Sequence, residues 1–265
     1  MTTVVTKGEL DDAVEKLQKK FHEWKEMPDI INSAVDNLKW AAVANPPALA
    51  AYQFSTGHRD TAQEKLGELF DLFQQILDGI SAPFTFVDFA EHWQGVAAEI
   101  RAAHGEQDRS DVSVDGFWKG NAKDRFQASR TLQVKAMTSV HEMADKVHTN
   151  FIELAKSGLD LYVTVFDKIS GVLSKLVTAV EQTGSIVFSY IGAPNMVAAI
   201  NDAISAVGGI IAATSKSIQS QMIIADSFAY VAKNPWGLPG DRWPESGSDA
   251  FDGVSENGKE KWEVA

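Results

Sequence analysis

The sequence predicts an all-α fold, an elongated helical bundle of about five to seven helices that includes long antiparallel helix hairpins. Three observations point there. Apolar residues recur at alternating spacings of three and four through most of the chain. No alternating strand pattern or two-residue hairpin signal interrupts them. Proline and glycine gather at a few joints, and beyond Lys233 the periodicity stops in a Pro-, Gly- and Trp-containing tail.

The first helix opens on the capping box Thr6 to Glu9 and carries Leu10, Val14, Leu17, Phe21 and Trp24. Ile31, Val35, Leu38 and Ala42 continue in phase past Pro28, as a first-turn proline allows, so two helices follow in line or one kinks there. Pro46-Pro47 and the residues to Gly57 read as a connection. A strict heptad stripe follows in Ala62, Leu66, Leu69, Phe73, Ile76 and Ile80, a spacing that suits packing on a partner helix at a shallow angle. Ser81-Ala82-Pro83 interrupts it, and Thr85 with Asp88 reads as a new capping pair ahead of Phe86, Phe89, Trp93, Val96 and Ile100.

Between this helix and the next lies Asp115-Gly116-Phe117-Trp118-Lys119-Gly120-Asn121, with Asp124 completing an Asn-x-x-Asp helix start. Glycines around an aromatic pair make a tight turn. Beyond it Phe126, Met137, Val140, Ala144, Val147, Phe151, Leu154, Leu161, Val165, Val172 and Leu176 mark one apolar face. Unbroken to Tyr190, this helix would be about 105 Å long at 1.5 Å per residue, so a kink or break is expected near Ser157-Gly158, Gly171 or Gly184. Gly192-Ala193-Pro194-Asn195 reads as the next turn. The last helix carries Val197, Ile200, Ile204, Val207, Ile211, Ile218, Met222, Ala225 and Phe228. These joints divide the chain into N-terminal helices (1–57), a central hairpin (58–157), a C-terminal long hairpin (158–232) and the tail (233–265).

The Trp118-Lys119-Gly120 triplet, set between two amphipathic helices and followed by Ala122 and Phe126, resembles the Trp-X-Gly hairpin of the WXG family. The resemblance covers residues 84–157. It implies a substrate of a type VII (ESX) secretion system or a protein associated with one, pairing with a small WXG hairpin or with itself. Trp118 and Gly120 then form either a recognition surface or a packing turn in which Trp118 covers the hairpin end and Gly120 relieves crowding. The family's export signal, Tyr followed four places on by an acid, is not matched. Tyr52, Tyr162, Tyr190 and Tyr230 are followed there by Thr56, Phe166, Pro194 and Asn234. Either the chain, if exported, travels with a partner that supplies the signal, or the resemblance is one of architecture alone.

Composition narrows the remaining classes. With 24 basic and 36 acidic residues the net charge is −12, which argues against a nucleic-acid partner. Zero cysteines exclude disulfides and thiolate metal sites. The N-terminus lacks the basic and apolar regions of a Sec signal peptide, so the expected location is the cytoplasm before export, then secreted or at the cell envelope. His141, Asp145 and His148 share a helical face and could offer two imidazoles and a carboxylate to a metal; a solvated or interface-edge face is the preferred account, and Asp145 and Ile152 depart from the His-Glu-x-x-His and WXG histidine patterns. No metal, cofactor or catalytic set is expected, because no nucleophile elbow, phosphate loop or dinucleotide fingerprint occurs. Residues 182–201 carry no charge, long enough to cross a bilayer. The alternative function is therefore an α-helical pore-forming toxin component that inserts residues 184–213. Val197, Ile200, Ile204, Val207 and Ile211 would then meet partner or membrane. Asp202 stands against that reading, since a charge inside a bilayer costs a few kcal/mol.

Overall fold

The computed structural model describes residues 5–43, 45–233, 237–238, 240 and 242–244. Among these, six α-helices and one short 3-10 turn account for the regular structure, and there is no strand. The helices are α1 (Lys7–Lys25), α2 (Met27–Ala42), α3 (Pro46–Asp78), α4 (Ala82–Gln107), α5 (Asn121–Thr183) and α6 (Ser189–Lys233). The all-α helical bundle is what the periodicity predicts. The chain forms two compact units, each assembled from two separate stretches: Met1–Val87 with Leu154–Gln219, and Asp88–Glu153 with Ser220–Ala265.

The first unit is built on the predicted stripes. Thr6 accepts from the Glu9 amide at 3.3 Å while Glu9 Oε2 accepts from the Thr6 amide at 2.9 Å, satisfying two donors that a helix start leaves open. Leu10, Leu17, Phe21 and Trp24 of α1 are buried, with Ile31, Val35 and Leu38 of α2 and Leu66, Leu69 and Phe73 of α3. Phe21 and Phe73 stack with centroids 3.9 Å apart, and Trp24 meets Phe73 edge-on at 6.3 Å. Pro28 sits in the first turn of α2, where its missing N–H has no helical partner to lose. Gln63 of α3 donates to the Pro28 carbonyl at 3.0 Å.

Several joints differ from the sequence reading. The Pro46-to-Gly57 stretch is the first part of α3, opened by proline in its first turn and packed through Ala48, Ala51 and Ser55. Helix α4 starts at Ala82, three residues before Thr85, whose hydroxyl instead donates back to the Ser81 carbonyl at 3.3 Å. Of the three expected break points only Gly184 is one: helix α5 runs unbroken for 63 residues past Gly158 and Gly171 and ends at Thr183. A Cβ at Gly158 would collide with the Pro83 ring, so this glycine serves a close approach. The turn into α6 lies at 184–188, and Pro194 falls inside α6. There Gly192 replaces the expected turn as a packing point, because a Cβ on it would meet the Ala179 carbonyl at 2.7 Å. Gly208 and Gly209, by contrast, have nothing within 4 Å of a built Cβ.

Tyr162 is 1% exposed, and its hydroxyl donates to the Ile80 carbonyl at 3.0 Å, in the link between α3 and α4. Burial pushes its pKa up to about 12.

In the second unit the buried face of α4 and α5 is lined by small residues, Ala90, Ala97, Ala136, Ser139 and Ala144, with Met137 and Ile152. Phe89, expected inside, is exposed at the margin and packs on Phe151 at 5.3 Å. Part of the tail packs back: Gly237 and Pro244 are buried, and a Cβ at Gly237 would fall on the backbone of Lys135 and Ala136. Trp243 is exposed, while Trp236 and Trp262 lie outside the described residues.

Two outcomes follow for the first unit. Gly192→Ala is expected to cost about 1–3 kcal/mol by overpacking, while Gly208→Ala gains up to about 1 kcal/mol of helix propensity; urea denaturation measures both. Tyr162 has a folded pKa raised above its unfolded value of 10.0, so its contribution is complete below pH 10 and fades as pH rises through about 12. Tyr162→Phe should cost about 1 kcal/mol at pH 8 and flatten that alkaline loss, read from urea midpoints at pH 8 and 11.

Candidate functional site

The joint between α4 and α5 is made by residues 108–120. Helix α4 ends at Gln107, whose carbonyl accepts from the Arg130 guanidinium, and Gln107 Nε2 donates to Gln133 Oε1 at 3.0 Å. Arg109 bridges Glu106 at 2.9 Å and Asp111 at 2.7 Å, fixing the 3-10 turn Ser110–Val112. The chain then reverses at two glycines in the left-handed region, Gly116 at φ +90° and Gly120 at φ +78°. Side chains other than glycine reach that region only at a cost.

Gly120 has open space where a Cβ would stand, so it is there for its backbone angle and not, as the packing reading had it, to relieve crowding. Its carbonyl accepts from the Asp124 amide at 3.3 Å, the first turn of α5, which places the capping position at Gly120 with Asn121 inside the helix. The amides of Phe117 and Trp118 both donate to the Val114 carbonyl, at 3.2 and 3.1 Å. Asp115 closes the turn onto α5: Lys123 Nζ reaches its carboxylate at 2.8 Å and Gln127 at 3.0 Å. The hydrogen bond from Lys123, then its charge, holds the Asp115 pKa below the ordinary value.

Trp118 is half-buried and packs edge-on to Phe126, centroids 5.6 Å apart at 61°. The exposed aromatic of the turn is its neighbour Phe117, with 68% of its surface in water. The sequence leaves Trp118 and Gly120 as either a recognition surface or a packing turn and does not single out Phe117, whose signal is its place directly after Gly116, outside the helical series. Behind the turn lies a cleft of about 430 Å³ lined by Glu106, Gln107, Val112, Phe126, Arg130 and Gln133, among others. Of its charged lining, Glu106 is bonded to Arg109, and Arg130 reaches the Gln107 carbonyl and, at 3.6 Å, Asp108.

The other proposed contact residues lie elsewhere. Ile200 and Val207 are buried in the core of the first unit, and Val197, Ile204 and Ile211 pack partly buried against it. Membrane or partner contact through these side chains would require that core to open. His141, Asp145 and His148 do not converge. His141 meets Asp145 at 3.3 Å and Arg101 at 3.3 Å, whereas His148 Nδ1 donates to the Ala90 carbonyl at 2.8 Å. Among the described residues no group of three His, Cys, Asp or Glu side chains is placed to hold a metal ion. Comparison with protein-family models, curated proteins and solved structures finds no match.

Gly120→Ala is expected to destabilise the second unit by about 1–2 kcal/mol through its left-handed backbone. Trp118→Ala should cost at least the aromatic pair, about 0.5–1.5 kcal/mol. Near-ultraviolet circular dichroism and urea titration of each variant check both.

Proposed function

We propose that this chain is a non-enzymatic helical protein exported by, or associated with, a type VII (ESX) secretion system, and that it acts through helix-helix contact with a protein partner. The observation that carries this reading is the Trp118-Lys119-Gly120 turn, where a left-handed Gly120 and a Trp118 packed on Phe126 join two long helices. The partner is a small WXG-family hairpin or a second copy. Exposed Phe117 beside the motif offers such a partner an anchor, since aromatic residues dominate the energetic centres of interfaces. The net charge of −12 fits a binding protein that does not hold nucleic acid.

A second reading has its own support. Ser189–Ser227 of α6 has a mean hydropathy of 1.7, with 28% of its window buried, which suits an α-helical pore-forming component inserting residues 184–213. Release of trapped dye from liposomes separates the two readings, because a helix-contact protein leaves the vesicles sealed.

The export reading is tested by immunoblotting culture supernatant and cell pellet from the native host with and without its type VII secretion ATPase. The chain should leave the supernatant only in the ATPase mutant; retention in the pellet of both strains would overturn the reading.

A further inference from the structure

Two stretches without a charged residue, 40–57 and 182–201, meet at one end of the first unit, although 23% of the chain's residues are charged. The Phe54 and Tyr190 rings lie 5.0 Å apart, and a Cβ built on Gly184 stands 3.5 Å from the Ala34 carbonyl. The turn between α5 and α6 therefore lies beside the α2–α3 hairpin. Ala34 and Phe54 are each eight residues, about 12 Å, from that hairpin's connection. Large apolar side chains gather there with their surfaces in water: Trp40 is 75% exposed, Val43 80% and Val187 75%, and Phe188, Tyr190 and Ile191 are also exposed.

We propose that this end of the first unit docks on the surface of a neutral, zwitterionic lipid bilayer, seating the α5–α6 turn and the tip of the α2–α3 hairpin at the boundary between headgroups and acyl chains. Charge selects this occupant. The two stretches themselves are uncharged, and the exposed charges beside the α2 end of the hairpin, Asp36 and Lys39, are of opposite sign and cancel. Arg59 is itself paired with Asp60 at 2.8 Å. An acidic chain without a cationic cluster at this end has no attraction for anionic headgroups, so the apolar and aromatic side chains supply the binding. Trp40 and Tyr190 suit the boundary, since each presents an apolar ring with one polar group.

The shape agrees. The exposed side chains stand at the end of a helix and in a chain reversal, not along a groove, so they can enter a bilayer surface without rearrangement. Docking leaves Met196, Ile200 and Val207 in the core, which separates it from the spanning insertion of α6. The inference rests on the first unit alone and does not depend on the secretion reading.

The test uses the full chain and flotation with phosphatidylcholine vesicles. Wild type should float with them, and Trp40→Glu combined with Val187→Glu should weaken binding by at least about tenfold, because two apolar contacts are exchanged for charges. Both side chains are mostly in water, so circular dichroism should show the variant folded as wild type. The absence of cysteines allows single labels: a fluorophore on Val187→Cys should shift to the blue and be quenched by brominated lipid, while one on Glu64→Cys of α3 stays in water. Failure to float, binding only to anionic vesicles, or equal binding by the double variant would overturn the proposal. So would self-association abolished by the same pair without flotation, which would give this end to a second copy.

Discussion

The first unit depends on one contact, the seat that α5 provides for the joint between α3 and α4. Gly158 gives the Pro83 ring room that any side chain would fill, and one turn further on the Tyr162 hydroxyl reaches the Ile80 carbonyl. Ile80 lies in the link between α3 and α4, and burying a backbone carbonyl without a partner costs free energy comparable to a lost hydrogen bond. A glycine and a tyrosine four residues apart solve both the steric and the polar problem. Because they do so from within a regular helix, α5 can pass the joint without a break.

The two units are held by different kinds of packing. In the first, Leu, Ile, Phe and Trp side chains fill the space between helices, and apolar burial stabilises at roughly 25 cal/mol per Å². In the second, alanines line the buried face of α4 and α5 and larger residues such as Phe89 stand at its edge. Less apolar area is withdrawn from water there, so polar contacts count for more. Arg130 on the Gln107 carbonyl and Asp115 under Lys123 are of that kind. Where burial is sparse and exposed hydrogen bonds carry the structure, local opening takes less free energy.

This difference explains what could be read from the sequence. The all-α class, the Thr6 capping box, the helix start at Pro28 and the stripes of α1 to α3 were legible, because large apolar residues at helical spacing mark a core face directly. On α4 Phe86 packs partly buried against the core as expected, while Phe89 was misread, since hydrophobic size draws attention to the large residues whereas close helix approach puts alanine between them. The stretch 46–57 was hidden for the same reason: it packs through Ala48, Ala51 and Ser55. Glycines misled in the opposite direction. Gly158 and Gly171 looked like breaks, yet a helix tolerates glycine at a cost of about 1 kcal/mol when tertiary packing holds it. At the Trp118 turn the residue types and the reversal were legible, while the exposure of Phe117 depended on two backbone angles that composition does not encode.

The assembly of the first unit from two separate stretches has a consequence for synthesis. Helices α1 to α3 leave the ribosome with apolar faces that are covered in the finished unit by residues from Leu154 to Gln219. At about 5–20 residues per second, those faces wait on the order of ten seconds for their cover. For that interval the nascent chain displays a Leu- and Phe-rich surface that the mature protein hides, and any chaperone that meets the chain meets that surface first.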